Sequence, residues 1–164
     1  MLRTTLFVAV LMALSVNTPT EVATLDMTEW SVEQGAYKCY MDYRAITDTA
    51  SPQWQIQQGA YTDSHGLRKV GDRYCIALGS AYGTEIGSRY IVLLDTGVRF
   101  KAILADQKAD RDTNAEHTAD MSGAVVEFVV DTPCLPSVVR RMGDVSYVDG
   151  FNGKVKRIYR EERK

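Results

Sequence analysis

Two apolar segments that alternate with a period of two, Val98–Ala105 and Ala124–Asp131, bracket an acid-rich connection. This pattern constrains the fold more than any other feature of the chain. Period two is the signature of strands with distinct faces, so Val125, Glu127, Val129 and Asp131 are expected on one side and Val126, Phe128 and Val130 on the other. An ionisable group in mid-strand costs free energy unless it has a partner or faces water, which singles out Glu127. The connection carries Asp106, Asp110, Asp112, Glu116 and Asp120 against Lys108 and Arg111. Carboxylates on successive strands are the usual equipment for acid/base work on sugars.

Further strands are expected at Ala36–Arg44, where Tyr37, Cys39, Met41 and Tyr43 share a side, and at Arg73–Gly79, Arg89–Leu94 and Lys154–Arg160. Asp95-Thr-Gly97 reads as a tight hairpin loop. Ser51 followed by Pro52 predicts a short helix over 51–58, and Leu135–Met142 predicts a second. Tyr61–Gly66 has turn chemistry. Six or so short strands with one or two brief helices indicate an all-β protein, read as a small β-barrel. Its interior is expected to include Ile76, Leu78, Val92, Ile103 and Val126.

At 164 residues the chain is long enough for one domain, and 45% hydrophobic residues supply a core. A net charge of -2 gives no support to nucleic-acid binding. The basic last stretch, from Lys154 to Lys164, reads as a solvated strand and tail, with contact to an anionic wall polymer or lipid surface as the alternative. Arg3 followed by the apolar run Leu6–Leu14, with Ala13-Leu-Ser15 as a cleavage site, has the layout of a signal peptide over residues 1–15. An uncleaved anchor or a buried segment of a cytosolic protein are the alternatives. The run is short for a membrane span, which needs about 20 residues. Residues 16–35 read as a linker and 36–164 as the domain. Cys39, Cys75 and Cys134 fit no zinc spacing, and they are expected as buried free thiols or as one disulfide plus a free thiol.

Tyr74-Cys-Ile-Ala-Leu-Gly-Ser80, Ile86-Gly-Ser-Arg-Tyr-Ile-Val92, Ile103-Leu-Ala-Asp106 and Gly123-Ala-Val-Val-Glu-Phe128 together resemble the three-aspartate domain. That domain is a double-psi β-barrel of lytic transglycosylases of the membrane-bound A type and of secreted bacterial wall proteins. The resemblance covers roughly residues 70–131 and implies a six-stranded double-psi barrel. The words Ala77-Leu-Gly-Ser80 and Ala105-Asp-Gln-Lys-Ala-Asp110 are also similar to those of bacterial exported and phage-associated proteins without an assigned function.

By resemblance the hinge is Ile86–Arg89, the middle acid is Asp106 and the last acid is Glu127. The family's early acid falls near Ser80, where no carboxylate stands, and its glycine-rich run is missing from the loop. The implied chemistry is cleavage of peptidoglycan strands, with Glu127 as acid/base and Asp106 holding its proton or orienting the sugar. Tyr74, Ser80, Asp110, Asp112 and His117 are the substrate-binding candidates. The implied partner is peptidoglycan or another wall glycan. Neither cofactor nor metal is expected, nor a stable membrane span after processing.

Two other readings stay open. Glu127 is equally read as one half of a structural ion pair with Arg99, Lys101 or Arg73 on the barrel rim, and the whole barrel as a non-catalytic module binding glycan or a protein of a phage or secretion assembly. Asp110-Arg-Asp-Thr-Asn114 begins like a calcium loop, but Ala115 and Met121 stand where its glycine and glutamate belong.

Overall fold

The computed structural model describes residues 27–32 and 37–162. The signal-like segment 1–15 lies outside them. Nine strands occur among the described residues: β1 (Met27–Ser31), β2 (Tyr37–Asp42), β3 (Tyr61–Thr62), β4 (Arg68–Val70), β5 (Arg73–Leu78), β6 (Arg89–Leu94), β7 (Arg99–Gln107), β8 (Ala124–Val130) and β9 (Val155–Glu161). Two helices accompany them, α1 (Pro52–Gly59) and α2 (Ser137–Met142). No described helix is long and apolar enough to cross a membrane.

The expected all-β character holds, with more strands than the sequence suggested. They form one mixed sheet in the order β1-β9-β6-β7-β5-β4-β3, with β8 on β5 and β2 on β8. The sheet does not close into a barrel. Strand β5 is the hub: it runs parallel to β7, antiparallel to β8 and, through its first residues, antiparallel to β4. β2 runs parallel to β8.

Alternation explains most of the burial. Ile76, Leu78, Val92, Leu104, Val126 and Phe128 point into the main core. Tyr74, Phe100, Phe128 and Phe151 meet there with ring centroids 5.0–6.0 Å apart, edge-on except for the tilted Phe100–Phe128 pair. On the opposite face Cys75, Ala105 and Val129 form a smaller cluster with Met41, Tyr43 and Ile56. Helix α1 covers that face. Ser51 caps it, accepting from Trp54 N at 3.1 Å, as Ser-Pro predicts. At its other end the buried Arg68 donates to the carbonyls of Gln57 and Ala60. Its guanidinium lies 4.4 Å from the Tyr43 ring. That single side chain satisfies the helix C-terminus and ties it to β4.

Four expectations need correction. The stretch read as linker contains β1, which pairs antiparallel with β9 and rests Trp30 and Val32 on the core. An edge strand with mostly exposed side chains gives little periodic signal. Tyr61–Thr62, read as turn, is the short strand β3, fixed by its pairing with β4. Ile103 packs on the α1 side, because Phe100, Ala102 and Leu104 take the inward positions of β7. The three cysteines are free, and Cys134 is exposed rather than buried.

The candidate carboxylate row and the acidic loop

A bulge decides where Asp106 points. Along the β5–β7 pair the register steps from Ile76↔Leu104 to Ala77↔Asp106, skipping Ala105. Strict alternation puts Asp106 in the main core; the extra residue turns it to the α1 face instead. Glu127 pairs with the same Ala77 from the other side. Asp106, Ala77 and Glu127 therefore form one row across β7, β5 and β8, and Cys39 on β2 extends it. The two acids are two strand spacings apart, on the order of 10 Å between backbones.

The row is not an open cleft. Ala77, between the two acids, is only 1% exposed, so the stretch of sheet between them is covered rather than open as a shared floor. Asp106 accepts from Gln107 N at 2.8 Å, and burial raises its carboxyl above the usual range. Glu127 has a different environment. Lys108 Nζ lies 3.6 Å from it and 2.9 Å from Asp120, and the Lys108 side chain is 4% exposed. The ion-pair reading of Glu127 thus holds, with a different partner. Arg73 is engaged by Glu161 and Lys101 by Asp72, and Arg99 is exposed at the start of β7.

Lys108 organises the cluster. Burial would lower its amine, but Cys39, Glu127 and Asp120 together hold it above the usual lysine range. Burial would raise the Asp120 carboxyl, but hydrogen bonds from Ser122 and Lys108 bring it down to about 2. Cys39 donates to Asp120 across 3.7 Å and accepts from Lys108 across 3.8 Å. Burial and the nearby Glu127 push its thiol up to about 12, so it is no nucleophile at neutral pH. In sequence Lys108 was only one of two cations in an acidic stretch. Its burial follows from the continuation of β7 past the bulge, where Lys108 N donates to Leu78 O at 3.0 Å.

The substrate-binding candidates separate into two sets. Tyr74 belongs to the aromatic core. Ser80, Asp110 and His117 converge. Ser80 Oγ donates to Asp110 at 2.6 Å, and His117 Nδ1 lies 2.8 Å from Thr113 Oγ1 and 3.6 Å from Asp110. Asp112 stays exposed beside Arg111. Asn114 shapes this loop: its Oδ1 accepts from Thr118 N and Ala119 N, which occupies the oxygen a calcium loop would offer. His117 has φ 52°, the only positive value at a non-glycine residue among those described. It is held there because its carbonyl packs on Gly79, where a Cβ would lie 1.9 Å from that oxygen.

The loop walls a groove of about 1020 Å³, lined by Ser31, Tyr82, Thr113, Asn114, Glu116 and Asp120 among others. A second groove of about 550 Å³ runs along the hinge, between Glu85, Ser88 and Arg89 on one side and Arg160 and Glu162 on the other. Neither is lined by Asp106 or Glu127. The chain matches no family model, no curated protein and no solved structure.

Proposed function

We propose that the chain is an exported, wall-associated module that binds glycan without cleaving it, on a core related to the double-psi barrel of the three-aspartate family. The contact of Glu127 with the buried Lys108 carries this reading: the residue in the acid/base position is half of an ion pair, and Ala77 between it and Asp106 is buried. Two features support the core relationship. Parallel pairs β2/β8 and β5/β7 meet through an antiparallel contact of β8 with β5, and the hinge bonds Gly87 N to Leu104 O at 2.8 Å. Glycan binding draws support from the larger groove, whose hydroxyl, amide and carboxylate side chains match the hydroxyl-rich surface of a sugar chain. The apolar run Leu6–Leu14 supports export.

Glu116 and Met121 lie exposed on the groove, so replacing both by alanine removes contact surface without touching the Lys108 cluster. The wild type should sediment with purified peptidoglycan and release no anhydromuramyl ends. The double variant should bind about 10-fold more weakly, equivalent to ~1.4 kcal/mol. A protein that does not sediment with the wall ends the glycan reading.

One observation favours the lytic transglycosylase reading: burial raises the Asp106 carboxyl, as a general acid requires. The same assay decides it. Anhydromuramyl products that disappear in Asp106→Asn would make Asp106, not Glu127, the acid.

A further inference from the structure

Lys38 and Cys39 are neighbours on β2 and face opposite ways. Cys39 looks onto the carboxylate row. Lys38 looks into the main core and is 0% exposed. Its amine meets no carboxylate within ion-pair distance among the described residues. It lies 2.8 Å from Ser146 Oγ and also bonds the carbonyl of Gly153. Simple alternation with Cys39 turns the side chain there; the extra residue of the nearby register shift, Val125, lies on β8.

We propose that Ser146 is a nucleophile activated by Lys38, a serine–lysine dyad for acyl transfer. The site is separate from both grooves, and the inference does not depend on the glycan reading. A serine hydroxyl needs a neighbouring base to attack, and a lysine serves when its amine is neutral and held in contact. Burial pushes the Lys38 amine below the usual lysine range, outweighing the attraction of Asp144 on the same loop and Asp95 in the β6–β7 turn. The amine donates both to Gly153 O and to Ser146 Oγ, and Ser146 Oγ in turn donates to Gly153 O at 3.3 Å, so the three groups form one closed contact in which the serine proton can turn to Nζ once the amine is neutral.

The loop holds the serine firmly. Asp144 Oδ1 accepts from Ser146 N at 2.8 Å and caps the turn Val145–Tyr147. Val145, Val148 and Phe151 anchor the loop in the core, while Tyr147, Asp149, Gly150 and Asn152 remain exposed around it. Gly153 has φ 98°, and a Cβ there would lie 2.3 Å from Asp95 Oδ1, so its carbonyl is fixed toward Lys38. Ser146 is half-buried, in contact with Lys38 and flanked by the exposed Tyr147.

The substrate class is an ester or amide acyl donor. The Ser146 proton passes to Lys38 Nζ as Oγ bonds to the acyl carbon and the carbonyl π pair moves to oxygen. The tetrahedral intermediate collapses by breaking the bond to the alkoxide or amine leaving group, which takes the proton from the Lys38 ammonium. Water then attacks the acyl-serine by the same route, releasing the acid and restoring both side chains.

The probe is an alkyl fluorophosphonate, in which Ser146 Oγ displaces fluoride from phosphorus and the serine proton leaves through Lys38. Incubated with the full chain and followed by intact mass, it should give one adduct, mapped to Ser146 and absent in Ser146→Ala. The rate should rise with pH below the ordinary lysine range and then level off. Lys38→Met, checked for folding by circular dichroism, should react at least 100-fold more slowly and lose that pH step. No adduct on the wild type, an adduct elsewhere, or a rate on Ser146 indifferent to pH and to Lys38 each overturns the proposal. The pH profile of the wild type decides the matter even if the Lys38 variant does not fold.

Discussion

Two buried lysines, Lys38 and Lys108, sit on opposite faces of the same sheet and have been given opposite surroundings. Lys108 touches two carboxylates, and its amine is held above the usual range. Lys38 touches a hydroxyl and a carbonyl, and burial lowers its amine. Burial is similar, so the difference lies in what the surrounding strands deliver. β8 and the acidic loop bring Glu127 and Asp120 to Lys108. The loop after α2 brings Ser146 and Gly153 into contact with Lys38, and its carboxylate, Asp144, stays beyond ion-pair distance. A lysine in the first setting is a fixed charge that orders structure; in the second it is available for proton transfer.

Removing Lys108 should have the largest effect. Lys108→Met leaves Glu127 and Asp120 facing each other with no cation between them, and breaking a buried pair from one side costs about 3 kcal/mol. Urea denaturation of variant and wild type measures it. A loss below about 1 kcal/mol would mean that solvent already screens the cluster and that Lys108 does not organise it.

The acid limb of stability should be the next largest effect. The Asp120 carboxyl titrates at about 2 when folded and near 3.8 in its ordinary state. Between those values the unfolded chain binds a proton that the folded chain does not, so stability falls as pH drops through this window. The loss is on the order of 2 kcal/mol. Asp106, whose carboxyl is raised, works in the opposite sense and gives back part of it. Lys108→Met should flatten the limb, because Lys108 helps to hold Asp120 down. An unchanged slope in the variant would assign the effect to the hydrogen bonds from Ser122 and Ala124 N.

What the sequence made legible followed from local rules. The strands β5 to β9, the capped helix α1 and the Asp95-Thr-Gly97 hairpin are each specified by neighbours within about ten residues, and each lies where alternation and turn chemistry place it. What stayed hidden depends on register between distant strands. The bulge at Ala105 moves Asp106 to the other face, and nothing within β7 announces it. A second shift, between Tyr37 and Lys38, leaves Val125 in the main core although alternation groups it with Glu127. The cation beside Glu127 is not Arg73, Arg99 or Lys101 but Lys108, which lies just past the end of β7 beyond its bulge. Lys38 stood on the polar side of an alternating strand, yet the 144–154 loop closes over it. Alternation tells which residues share a face, but only tertiary pairing tells which face is wet.

The smallest effect should come from Lys38→Met, and it tests the comparison most sharply. Methionine is close to lysine in length and well suited to an apolar core, so most packing survives. The variant forgoes hydrogen bonds to Ser146 and Gly153, each with a net value of about 1 kcal/mol. In exchange it removes a desolvated amine, and replacing buried polar groups with apolar ones of similar volume is often neutral or stabilising. The two terms should nearly cancel, giving a change within about 1 kcal/mol of wild type by urea denaturation at pH 7. Asp144 and Asp95 lose a weak attraction, but Asp95 is exposed and Asp144 half-buried, so water compensates them. If Lys38→Met instead destabilises as strongly as Lys108→Met, Lys38 is a charged staple like its counterpart, and the distinction between the two lysines collapses. If stability is kept while labelling of Ser146 is lost, Lys38 serves the chemistry of that loop rather than the stability of the fold.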